Sequence, residues 1–150
     1  MERRLTEENI TKLIMSWLEK NDWTIICFDF PQSGTGKVLH PSGNGTKNKG
    51  VIIPDIIAFR EGKCVFFENK DRFCRGDFEK INKLKTTDEY VESIEELLKN
   101  YQIKSIYYGI GLPDISGITK KALSYKDMTD FIVCVSDKKT RVVYELSHIF

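Results

Sequence analysis

A chain of 150 residues, 41% hydrophobic and 30% charged, can bury one sizeable core, and its length and composition are those of an ordinary globular domain. A net charge of +1 excludes bulk electrostatic attraction to nucleic acid or membrane, so any basic surface has to be local. No apolar run approaches the roughly 18 residues of a membrane span, and the charged start MERRLTEENITK lacks the apolar segment of a signal peptide, so the expectation is a cytoplasmic protein without membrane contact.

Residues 7 to 20 carry Ile10, Leu13, Ile14, Trp17 and Leu18 at the spacing of one buried helix face. Thr6 is placed as the N-cap, Leu5 with Ile10 as a hydrophobic staple, and Asn21 as the stop. Residues 23 to 30 (WTIICFDF) read as a strand. Residues 31 to 50 contain five glycines and two prolines, which argue against regular structure. This segment holds His40, Lys37, Lys47 and Lys49, and no acid falls between Asp29 and Asp55. Residues 51 to 59 and 63 to 69 read as two strands around a tight turn at Glu61-Gly62. Helices follow at 77 to 85, with Phe78, Ile81 and Leu84 buried, and at 88 to 100, with Val91, Ile94, Leu97 and Leu98 buried. A strand at 103 to 110, a short helix at 117 to 124 and two strands around a turn at Ser136 to Lys139 complete the chain. The order is αβββαβ followed by αββ, a mixed α/β fold in a single domain over 1–150. Cys27, Cys64, Cys74 and Cys134 form no C-x-x-C pair, and three of them fall in strand-like runs, so they read as free buried thiols of a reducing compartment.

Chemistry concentrates where charge interrupts apolar strands. Asp55 lies between VIIP and IIAF, and Glu68 and Lys70 follow CVFF. An ionised carboxylate is costly there unless something compensates it. Side chains alternate along a strand, so Glu68 and Lys70 share one side. If the two runs are antiparallel neighbours, Asp55 meets them across the hairpin. Two converging carboxylates call for a cation, and oxygen ligands suit a hard ion such as Mg2+.

Pro54-Asp55, twelve intervening residues, then Glu68-Asn69-Lys70 resembles the signature of the PD-(D/E)xK, or restriction endonuclease-like, nuclease superfamily. The element order over roughly residues 5 to 112 resembles that family's αβββαβ core as well, here followed by a C-terminal β-hairpin. The resemblance implies a mixed central sheet flanked by helices and a Mg2+-dependent endodeoxyribonuclease (phosphodiester hydrolase), with Mn2+ as a substitute. It implies that Asp55, Glu68 and the main-chain carbonyl of Asn69 bind the metal. It implies that Lys70 orients the attacking water and stabilises charge on phosphorus. Many members add a glutamate from the first helix. At 100° per residue Glu7 lies about 50° from the centre of the apolar face and Glu8 about 150° from it, so Glu7 is the candidate and Glu8 faces solvent; helix-dipole stabilisation is the alternative role for Glu7.

Within the superfamily, the FENKDRF continuation and the polar segment before Asp55 resemble type II restriction endonucleases of restriction-modification systems. These imply a homodimer acting on double-stranded DNA. A Holliday-junction resolvase or other structure-selective repair nuclease is the alternative, and a non-catalytic DNA-binding module on the same fold is a third. Arg72 and Arg75, just past the signature, are candidate phosphate contacts, and Lys80, Lys83 and Lys85 are either phosphate contacts or a solvated helix face. Gln32, Lys37, Asn44, Lys47, Asn48 and Lys49 are candidates for wrapping DNA or reading base edges. A second spelling of the motif, Pro113-Asp114 with Asp137-Lys138-Lys139, falls in a loop and a turn and is set aside.

Overall fold

The computed structural model describes residues 4–30, 36–41 and 50–150. Its first helix, α1, is Glu7–Lys20, capped by a reciprocal box in which the Thr6 hydroxyl accepts from the Asn9 N–H and the Asn9 side chain reaches back to Thr6. Leu5 and Ile10 are both buried in one apolar cluster, as a staple requires, and the helix ends at Asn21. The strands are β1 (Thr24–Phe28), β2 (Ile56–Arg60), β3 (Lys63–Asn69), β4 (Ser105–Pro113), β5 (Phe131–Val135) and β6 (Thr140–Glu145). Helices α2 (Arg75–Thr86) and α3 (Val91–Leu98) join β3 to β4, while α4 (Ser116–Leu123) and a 3-10 turn at Lys126–Met128 join β4 to β5.

All six strands form one mixed sheet in the order β1-β2-β3-β4-β5-β6. The pairs β1–β2, β2–β3 and β5–β6 are antiparallel, and β3–β4 and β4–β5 are parallel. The parallel pairs are those whose connections carry helices, as a parallel step requires. The β2–β3 hairpin closes through Glu61 and Gly62, both at positive φ (49° and 83°), the conformation of the two-residue turn that matches strand twist.

Alternation along the strands divides the apolar residues between two cores. Ile56, Ala58, Val65 and Phe67 meet Ile10, Ile14 and Leu18 of α1 on one face. Ile57, Cys64 and Phe66 meet Phe78, Ile81 and Leu84 of α2, with Ile94 and Leu98 of α3, on the other. The fold is therefore α/β, a six-stranded mixed sheet between helical layers. Cys27, Cys64 and Cys134 are buried free thiols within strands, and Cys74 is a half-buried free thiol. Among the described residues no helix is long and apolar enough to cross a membrane.

Two strand boundaries and one burial differ notably from the sequence expectation. The second strand begins at Ile56 rather than at 51, because Pro54 offers no N–H and the chain bends at Asp55. The fourth strand runs on to Pro113, held on both sides by its parallel neighbours β3 and β5. Val91 is exposed rather than buried, standing at the first position of α3. Within 31–50, part of the segment read as irregular is tied to the fold. Leu39 is buried and bridges Ile52, His40 exchanges two hydrogen bonds with the Ser93 hydroxyl on α3, and the Tyr90 hydroxyl donates to the Gly50 carbonyl.

Candidate active site

The hairpin brings Asp55 and Glu68 together. Ile56 is registered with Phe67 in the antiparallel ladder, so the residues just beyond the pair, Asp55 and Glu68, lie side by side at the sheet end. Two main-chain bonds and one to a side chain hold the turn into β2: the Asp55 N–H donates to Phe67 O at 2.9 Å, the Asp29 N–H donates to Asp55 O at 2.8 Å, and the Asn69 N–H donates to Asp55 Oδ2 at 2.7 Å. The last of these aims the carboxylate. Asn69 is itself fixed from the opposite face of the sheet: it is fully buried, and its Nδ2 donates to Thr11 Oγ1 of α1 at 3.0 Å. Gly111 of β4 makes room for it, since a Cβ there would fall 2.2 Å from Asn69 Oδ1. The Lys70 N–H donates to Gly111 O at 3.0 Å, extending the β3–β4 pairing to the lysine.

Glu68 is buried and paired with Lys80 of α2, Nζ to Oε1 3.0 Å. Asp77, one turn earlier on the same helix, is buried, and its Oδ2 has no hydrogen-bond partner among the described residues. The electrostatics follow from these positions. Burial, then the Glu68 charge, pushes the Asp55 carboxyl up to about 8, against the opposing pull of the Asn69 N–H and Lys80, with the Glu7 charge adding to the rise. Glu68 is raised by burial, opposed by Lys80, and Asp77 adds to the rise. The Lys70 ammonium is held above its ordinary range, first by the negative charge of Asp77 and also by that of Glu7. Glu7, half-buried in the first turn of α1, is thus within electrostatic reach of both Asp55 and Lys70. The exposed side chain of Glu8 pairs instead with Lys12.

Around the hairpin end four carboxylates, Glu7, Asp55, Glu68 and Asp77, face two ammonium groups, Lys70 and Lys80. That deficit of positive charge, with one buried carboxylate oxygen left unpartnered, fits a divalent cation. Among the described residues no three His, Cys, Asp or Glu side chains converge closely enough to cage one unaided. An ion would therefore take Asp55 and Glu68 and complete its shell with the Asn69 carbonyl and water, a donor set that suits Mg2+.

Other candidates are placed differently. Arg72 and Arg75 are exposed and pair with neighbours in the chain, Arg72 with Asp71 at 2.9 Å and Arg75 with Glu79 at 3.1 Å. Lys37 is exposed beside β1, next to Cys27. Gln32, Asn44, Lys47, Asn48 and Lys49 lie outside the described residues. The three helix lysines diverge: Lys80 holds Glu68, Lys83 pairs with Glu89, and Lys85 pairs with the buried Asp130 at 3.0 Å. The second spelling of the motif does come together, with Pro113, Asp114, Asp137 and Lys138 lining one cavity, but its first acid is already engaged. Asp114 is anchored at the end of β4 with both oxygens taken by Arg141, at 2.7 and 2.9 Å, and Asp137 is exposed in the turn after β5. That cavity, of about 610 Å³ at the C-terminal ends of β4 and β5, also takes in Asp71, the neighbour of Lys70. Comparison with family models, with curated proteins and with solved structures gives no match for this chain.

Sequence reasoning does not single out Asp77 or Thr11, and it weighs Lys80 only as a phosphate contact or part of a solvated helix face, not as the partner of Glu68. The two α2 residues read as part of a charged helix, and Thr11 falls beside the apolar stripe of α1. Their only signal is an i, i+3 acid–lysine pair one turn past the lysine of the signature.

Proposed function

We propose that this chain is a divalent-metal-dependent endonuclease of the PD-(D/E)xK kind that hydrolyses phosphodiester bonds in double-stranded DNA as a type II restriction endonuclease, working as a homodimer. The observation that carries the reading is the meeting of half-buried Asp55 and buried Glu68 at the β2–β3 hairpin end, mutually repelling, with Lys70 two residues beyond Glu68, just past the end of β3. The order α1-β1-β2-β3-α2-α3-β4 also supports it.

Asp55 and Glu68, with the Asn69 carbonyl, would hold the ion, which supplies charge neutralisation on the transferring phosphate and makes water more acidic near neutral pH. The chain's own residues do the rest. The Asn69–Thr11 bond and the Asn69 N–H keep Asp55 aimed across the hairpin. Lys70, kept protonated by Asp77 and Glu7, acts as a hydrogen-bond donor to a non-bridging phosphate oxygen rather than as a base. Water attacks phosphorus in line and gives up a proton to bulk water, the new P–O bond forms as the bond to the sugar oxygen breaks, and that oxygen takes up a proton from water and leaves as a hydroxyl.

The test is digestion of a mixed-sequence plasmid with Mg2+ or Mn2+ by wild type, Asp55→Ala and Lys70→Ala. Discrete fragments that vanish in both variants are expected. Unchanged cleavage in either variant would refute the site. Sequence-independent cutting of four-way junctions would reassign the chain to the resolvases, and a smear would exclude site-specific restriction.

A further inference from the structure

Lys80 and Asp77 are three residues apart on α2, so their side chains leave the same face of the helix. Lys80 Nζ rests 3.0 Å from Glu68 Oε1. Asp77 is only 8% exposed, and its Oδ2 is buried without a donor. Native structures rarely leave such an oxygen unpaired, and each instance calls for a reason. The ammonium therefore has one acceptor engaged, and one turn back on its own helix stands an acid with one oxygen unpaired among the described residues, whose charge also acts on Lys70. A lysine head can change partner by rotation about its flexible stem, without backbone movement.

Resting on the metal reading above, we propose that Lys80 is an internal counter-ion that neutralises Glu68 in the metal-free protein and passes to Asp77 when a divalent cation takes Glu68. The cation and the ammonium compete for the same carboxylate and repel each other, so one displaces the other. Asp77 receives the displaced charge. Lys80 and Asp77 are on this account positioning residues that set metal affinity without touching the phosphate. The exchange explains two features together: a lysine seated on a carboxylate suited to a metal, and a buried acid oxygen with nothing to bind.

Isothermal titration of Mg2+, and separately Mn2+, into wild type, Lys80→Met, Asp77→Asn and the double variant tests this, with thermal melts in chelator to verify folding. Lys80→Met removes the competitor and is expected to tighten binding about tenfold, and Asp77→Asn, which strands the displaced ammonium, to weaken it by a similar factor. With Lys80 already replaced, Asp77→Asn should change affinity by less than about threefold. Should Asp77→Asn fail to fold, Asp77→Ser, smaller and still polar, takes its place. An equal effect of the Asp77 substitution in both backgrounds would overturn the exchange. So would unchanged affinity in Lys80→Met, which would mean that Lys80 keeps Oε1 while the ion uses Oε2. A wild-type protein that binds neither ion at millimolar concentration would instead overturn the metal site itself, and the exchange with it.

Discussion

Replacing Asp55 by Asn keeps the shape of the side chain and the acceptor for the Asn69 N–H while removing a charge that the fold disfavours. The carboxyl is pushed up from 3.8 to about 8. Its contribution to stability is complete below the unfolded-state value near 3.8 and is lost progressively as pH rises toward 8, because the unfolded chain releases the proton and the folded one retains it. At pH 7 the full shift would amount to about 4 kcal/mol. Asp55 is half-buried and shares its charge with Glu68 and Lys80, so about 1–3 kcal/mol of this should be realised. For a chain of this length that is a rise of about 3–10 °C in Tm for Asp55→Asn in chelator at pH 7. The assay is a series of melts of both proteins from pH 4 to pH 8, with the variant's advantage near zero at pH 4 and growing with pH. A variant less stable than wild type at pH 7, or an advantage independent of pH, would refute the reasoning. Adding Mg2+ should raise the wild-type Tm and leave the variant's nearly unchanged.

Thr11→Val removes the acceptor of the fully buried Asn69 amide and should cost about 1–3 kcal/mol, read from urea midpoints, with a further loss of cleavage through misaimed Asp55. Gly111→Ala places a Cβ within 2.2 Å of Asn69 Oδ1 and 2.5 Å of Ile14 Cδ1, and a destabilisation of about 1–3 kcal/mol should appear in the same assay. Asp114 is held below the ordinary carboxylate range by its bonds to Arg141, so its contribution is present above its unfolded value and is lost as pH falls through its folded one. Asp114→Asn should therefore lower the urea midpoint at pH 6 and converge with wild type in strong acid.

Much of this frame is written in local pattern. The stripe from Ile10 to Leu18, the Thr6 cap and the Asn21 stop delimit α1 because each acts within one helix turn. Glu61-Gly62 marks a hairpin because so few residues tolerate positive φ. That hairpin is what makes Asp55 and Glu68 legible as a pair. The extent of β4 is not legible: Gly109, Gly111 and Pro113 argue locally against a strand, and only pairing with β3 and β5 overrides them. The role of Lys80 is hidden for a related reason. A lysine on a polar helix face looks the same whether it meets water or a buried carboxylate, and only the packing of α2 over β3 decides.

Glu68 and Asn69 end a strand that lies inside the sheet, paired to β2 and β4 on its two sides. Amides in such a position exchange with solvent mainly through global unfolding, whereas helix ends and loops open far more often. The candidate ligand Glu68 and its neighbour Asn69 are therefore bolted to the slowest part of the molecule. Any yielding around this site has to come from the pieces that reach in from outside, such as α2 with its lysine. The anchored carboxylate and the lysine that meets it thus belong to parts of the chain with different freedom, so one can drift under mutation while the other stays put.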